Sequence, residues 1–84
     1  MTNIVKLMAR LENGDSILVS VKANDKPLSS KDKQTLLSKY NKSIKPFLED
    51  VLYFTIRTTI NDNKDNWKCS SPDEVFSVLD CIFK

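Results

Sequence analysis

Along the first 23 residues, apolar and polar side chains alternate. In IVKLMARL, Val5, Leu7, Ala9 and Leu11 occupy odd positions, with Lys6 and Arg10 between them. In SILVSVKA, Ile17, Val19, Val21 and Ala23 repeat the pattern. A period of two sends alternate side chains to opposite faces of a strand, so the segment predicts a β-hairpin. Asn13-Gly14 between the strands is the usual mark of a two-residue turn. Register argues otherwise, because a two-residue loop sets odd positions opposite even ones and divides the apolar face. A three-residue loop of Glu12, Asn13 and Gly14 pairs Val5 with Val21, Leu7 with Val19 and Ala9 with Ile17. It also leaves Gly14 at the left-handed position of a bulge, which glycine adopts at no steric cost.

The period then lengthens. Asn24 to Leu28 reads as a connector, and Ser29 as an N-cap whose capping box is completed weakly by Asp32. Leu36, Leu37, Tyr40, Ile44, Phe47, Leu48 and Val51 recur at helical spacing on one face. Pro46 interrupts them, at a cost of about 3 kcal/mol in a helix interior, so the pattern allows either a kinked helix or a second short one. From Tyr53 the period returns to two: Phe54, Ile56 and Ile60 against Tyr53, Thr55, Arg57 and Thr59. Residues 61–66, NDNKDN, read as a turn, and Trp67 to Ser70 as a short fourth strand. Ser71-Pro72-Asp73-Glu74 then supplies an N-cap, a first-turn proline, an acid and a capping glutamate. The helix it starts carries Val75, Phe76, Val78, Leu79, Ile82 and Phe83 to the end of the chain. The order is ββαββα, a single small α+β domain over residues 1–84. The expected architecture is an antiparallel sheet with two helices packed on one face, a two-layer sandwich.

Composition narrows the function. With 40% hydrophobic and 29% charged residues the chain is globular rather than disordered. No apolar run approaches the ~18 residues of a membrane span, and Lys6 and Arg10 break any secretory h-region. The expected location is therefore the cytoplasm, away from membranes, where the sequon at Asn41 is inert. Histidine is absent. That removes Ser-His and Cys-His nucleophiles and zinc sites built on imidazole. Cys69 and Cys81 read as buried thiols, since a disulfide between them runs against a reducing setting.

Three short motifs dissolve on inspection. Ser30-Lys31-Asp32-Lys33 fits S-x-x-K, but its companion motifs are missing and the chain is too small for such an enzyme. Glu49/Asp50 and Asp73/Glu74 are sequence neighbours, about 100° apart on a helix, and flank a substrate poorly. Asn61 to Asn66 resembles a calcium loop, yet the sixth position is Asn66 instead of glycine and the twelfth is Pro72 instead of glutamate. No catalytic, cofactor-binding or metal-ligating residue is expected, and the chain reads as non-enzymatic.

Charge is the remaining signal. Residues 22–45 hold seven lysines and two aspartates, whereas residues 46–84 hold four basic and seven acidic groups. On a helical wheel Lys31, Lys39, Lys42 and Lys45 form a stripe opposite Leu37 and Ile44, with Lys33 near the apolar face in the first turn. An amphipathic helix needs a polar face in any case, and a five-to-one split of six charges arises by chance about one time in five. A second surface is the face of the sheet turned away from the helices, with Lys6, Arg10, Lys22, Tyr53 and Arg57. Aromatic and basic groups on an open sheet suit single-stranded nucleic acid. Met8 and Leu18 share that face and suit a protein partner or a homodimer. Two alanines and one glycine amid many lysines, asparagines and serines point to an AT-rich genome, such as that of a phage or mobile element. The function expected first is a small regulator or inhibitor that binds a protein target. The alternative is an RNA- or DNA-binding protein that uses the lysine stripe and the basic sheet face.

Overall fold

A computed structural model describes residues 2–83 of the chain. Strands β1 (Thr2–Leu11) and β2 (Ser16–Asn24) precede helix α1 (Ser30–Ser43), and strands β3 (Val51–Ile60) and β4 (Asn63–Cys69) precede helix α2 (Pro72–Ile82). One antiparallel sheet has the spatial order β2-β1-β3-β4, so each hairpin contributes one central and one edge strand. The ββαββα, α+β architecture expected from the periodicity is the one observed.

The first hairpin has the register that the apolar pattern demands. Val5 faces Val21, Leu7 faces Val19 and Ala9 faces Ile17, and Leu11 N–H donates to the Asp15 carbonyl across a three-residue loop. Gly14 closes that loop at φ 92°, a conformation that strains any residue with a Cβ. Odd residues of β1 and β2 and even residues of β3 form the inner face, where Val5, Leu7, Ala9, Phe54 and Ile56 are buried. The two helices cover this face with Leu36, Tyr40, Val75 and Leu79. Helix α1 packs over β2, and α2 sits over β4. The Tyr40 and Phe76 rings meet edge-on at 5.5 Å, and Lys33 pairs with Asp80 between the helices. Lys33 therefore spans to the neighbouring helix from its place beside the apolar face.

The structure decides between the two readings of Pro46 and departs from the pattern-based expectation at four other points. Lys45–Asp50 form a separate 3-10 segment with Pro46 in its first turn and a break at Phe47. The chain therefore starts a second short helical segment instead of kinking one long helix. Because the chain turns there, Phe47 leaves the apolar stripe and is 49% exposed, and Val51 opens β3 opposite Leu11. The second hairpin turns in two residues: Asn61 and Asp62 both have positive φ, 51° and 66°. Asn and Asp tolerate that conformation better than most side chains, so a primed turn forms without glycine and Asn63 to Asn66 join β4. At α2, Glu74 accepts from the N–H and hydroxyl of Ser70, one residue before the cap, while Ser71 Oγ accepts from Glu74 N–H. Cys69 is 2% exposed, as expected, but Cys81 is exposed because it lies opposite Leu79 on α2.

One polar side chain ties three segments together. Asn3, buried on β1, donates through Nδ2 to the Lys26 carbonyl at 2.7 Å and accepts at Oδ1 from Asn61 N–H at 3.0 Å. It thereby holds the β2–α1 connector and the primed turn of the second hairpin. Asn3→Ala strands a carbonyl and an amide in partly buried positions, and unfolding in urea should register a loss of about 2 kcal/mol. A loss under about 0.5 kcal/mol would mean that water replaces both bonds freely.

Candidate functional site

The outer face of the sheet follows from the same register. Even residues of β1 and β2 and odd residues of β3 point away from the helices. The pairings Thr59–Lys64, Arg57–Asn66 and Thr55–Lys68 add β4 to that face. Four cross-strand rows result. From β2 to β4 they read Lys22, Ile4, Thr59, Lys64; then Ser20, Lys6, Arg57, Asn66; then Leu18, Met8, Thr55, Lys68; and last Ser16, Arg10, Tyr53. All five sheet-face residues expected from the sequence, Lys6, Arg10, Lys22, Tyr53 and Arg57, share this surface. Lys64 and Lys68 join them: from sequence alone Lys64 reads as part of a loop, and Lys68 as part of a short fourth strand with no face assigned. Given a two-residue turn at Asn61-Asp62, the alternation of Lys64, Asn66 and Lys68 against Trp67 and Cys69 becomes visible.

The face thus carries six cations and no carboxylate in these rows. Six charges of one sign arise by chance about one time in thirty, rarer than the five-to-one split in the α1 region. Among the described residues the single ion pair is Lys33–Asp80, so none of the six is neutralised by an acid. Lys6 lies directly opposite Arg57 on the two central strands. Like charges in that arrangement cost roughly 0.2–1 kcal/mol, an expense that folding alone does not call for.

Local contacts shape the far end of the face. The register of β1 and β3 shifts between Arg10 and Leu11, so that Leu52 is an extra, exposed residue in β3. Such bulges bend a strand and re-aim its neighbours. Next to it, Tyr53 lies opposite Arg10, with Lys68 Nζ 4.5 Å from its ring centre. Arg10 donates to the Gly14 carbonyl at 3.0 Å, which draws the hairpin loop to the same corner. A base that stacks on Tyr53 on the side Lys68 covers must displace a cation–π contact of about 0.5–1 kcal/mol. Base stacking is worth ~1–3 kcal/mol, so the exchange favours the base.

The lysine stripe fares differently. Lys31 and Lys42 are exposed on α1, but Lys45 lies beyond it in the 3-10 segment. Lys39 reaches over the sheet edge and donates to the Ser20 carbonyl of β2 at 2.7 Å. That bond gives Lys39 a structural task, since a charged side chain on a carbonyl blunts a free edge. All four lysines of the stripe remain exposed; among the described residues Lys39 alone of them has a side-chain hydrogen bond to the fold, and Lys45 stands outside α1.

The other sequence motifs have structural roles. Ser30 to Lys33 form the first turn of α1, where Ser29 and Asp32 complete the capping box. Hydrogen bonding from the Ser29 backbone holds the Asp32 carboxyl below its ordinary range. Asn61 and Asp62 make a turn while Asn63 to Asn66 are extended, so this run does not wrap round a cation. Among the described residues no three His, Cys, Asp or Glu side chains gather as a metal site, and no helix is long and apolar enough to cross a membrane. Burial, aided by nearby Glu74, pushes the Cys69 thiol up. At pH 8 a disulfide reagent should therefore label Cys81 quickly and Cys69 only on unfolding, and C81S should abolish the fast phase. Two fast thiols per chain would contradict the packing of Cys69. No family model, no curated protein and no solved structure matches this chain.

Proposed function

We propose that the chain is a non-enzymatic binding module whose open sheet face holds single-stranded nucleic acid. The observation that carries this reading is the row pattern of six cations without a carboxylate, beside the half-buried ring of Tyr53. Each neutralised phosphate releases counterions, and Tyr53 offers a surface for one base. A single strand is favoured over a duplex, because both helices pack on the other face and none projects here to enter a groove. Cytoplasmic location, in a host cell if a phage or mobile element encodes the chain, belongs to the same proposal.

The test pairs two triple variants in binding to a labelled oligonucleotide. Lys22→Glu, Arg57→Glu and Lys68→Glu on the sheet should weaken binding far more than Lys39→Glu, Lys42→Glu and Lys45→Glu. Equal losses would sink the assignment to the sheet face. A second reading, a regulator or inhibitor of a protein target, draws on Leu18, 60% exposed and opposite Met8 at the centre of the same face. That reading requires a stoichiometric protein partner that survives nuclease treatment and is lost with Leu18→Asp.

A further inference from the structure

The cations of the sheet face are unevenly placed. Between β1, β3 and β4 lies a shallow depression of about 270 Å³, with Lys6, Arg57, Lys64 and Asn66 in its lining. Lys6 and Arg57 are directly opposite each other, Asn66 is opposite Arg57, and Lys64 follows two residues earlier on β4. Asp65 also contributes to the lining, but its place in β4, opposite Thr58, puts it on the other side of the strand from Lys64 and Asn66. Edge protection explains Lys64, since lysines on an edge strand hinder pairing with other chains. It does not explain Lys6 or Arg57, which sit on the two central strands.

We propose that this depression is a phosphate site, and, resting on the nucleic-acid reading above, that it seats one backbone phosphate of the bound strand. Its geometry suits an anion with several oxygens. Arg57 brings a planar fork that binds two oxygens at once, Lys6 and Lys64 supply charges from the neighbouring strands, and Asn66 adds an uncharged donor. Bound phosphate relieves the repulsion between Lys6 and Arg57 on the two central strands. Tyr53 lies four residues from Arg57 along β3, about 13 Å away, so a phosphate held here leaves a base further along the strand free to reach the ring.

The experiment has two ligands, inorganic phosphate and an eight-residue oligothymidylate, and one double variant, Lys6→Gln with Arg57→Gln. Phosphate is titrated at constant ionic strength and pH while backbone amide resonances are followed. Saturable shifts centred on Lys6, Arg57, Lys64 and Asn66 are expected in the parent chain and should vanish in the variant. The variant should bind the oligonucleotide at least tenfold more weakly, with its salt slope reduced by ~0.7, the change for one phosphate on a single strand. Its melting temperature should equal or exceed that of the parent, which separates lost binding from lost folding. Weak shifts spread evenly over all lysines, or an unchanged affinity and slope in the variant, overturn the phosphate site while leaving the platform standing. Saturation by phosphate without any oligonucleotide binding supports the anion site and removes the nucleic-acid reading. Failure of both ligands removes both.

Discussion

Phe54→Ala is expected to destabilise the chain by about 3–5 kcal/mol, the range for deleting a buried aromatic side chain. Phe54 is 2% exposed and is flanked across the sheet by Ala9 on β1 and Cys69 on β4. Both neighbours are small, so neither can swing into the space and the cavity stays open. Domains of this size have ~5–15 kcal/mol in hand, so the variant approaches the limit of folding. In a thermal melt the loss corresponds to a fall of well over 10 °C. Phe47→Ala supplies the contrast. Phe47 shares the helical spacing of the core residues but is turned outward by the 3-10 segment, and its loss should cost under about 1 kcal/mol. Urea unfolding of the two variants decides the matter. Similar losses would mean that Phe47 is packed in the core and that the chain after Pro46 does not turn it outward.

That contrast marks where the sequence is informative about this fold. The first hairpin is legible down to its register because two strands of strict alternation meet a glycine placed to close a three-residue loop. The caps of both helices are legible for a similar reason: Ser29 and Ser71 act on groups within three residues of themselves. Pro46 announces a break but not its shape, since a kink and a new short helix satisfy the same constraint on proline. The second hairpin is half legible. Its turn lacks glycine, and two residues able to take positive φ lie in a run of six turn-forming ones. Strand order depends on β1 pairing with β3, a contact across some fifty residues that no local pattern encodes. Half of the candidate face hangs on that pairing. The face of each strand could be read singly, whereas the opposition of Lys6 to Arg57, and the arrival of Lys64 and Lys68, required the assembled sheet. The α1 stripe shows a different limit: wheel geometry groups four lysines, but the bond of Lys39 to β2 and the break that sets Lys45 outside the helix depend on the assembled fold.

The second large effect concerns those two surfaces. Lys22→Glu, Arg57→Glu and Lys68→Glu reverse charges on three of the four strands, taking the face from six cations to three cations and three anions. Loss of three phosphate contacts lowers the salt slope by about two, and binding should fall by at least about a hundredfold at low salt. The comparison variant, Lys39→Glu with Lys42→Glu and Lys45→Glu, changes the net charge by the same six units, from +2 to −4. Long-range attraction is therefore weakened alike in both, and the excess loss in the sheet variant reports local contact. That excess should be at least about tenfold in fluorescence anisotropy, with both proteins verified as folded by circular dichroism.

Nucleic-acid binding by this chain requires the sheet face to meet a polyanion through several phosphates at once, and one titration bears on it most directly. The affinity of the parent chain for a twelve-residue oligothymidylate is measured between 50 and 200 mM salt. With up to six cations engaged, the logarithm of affinity should fall linearly with the logarithm of salt, at a slope of about −3 to −4. No binding at micromolar protein and 50 mM salt, or binding that salt leaves unchanged, would contradict the assignment of this face to nucleic acid.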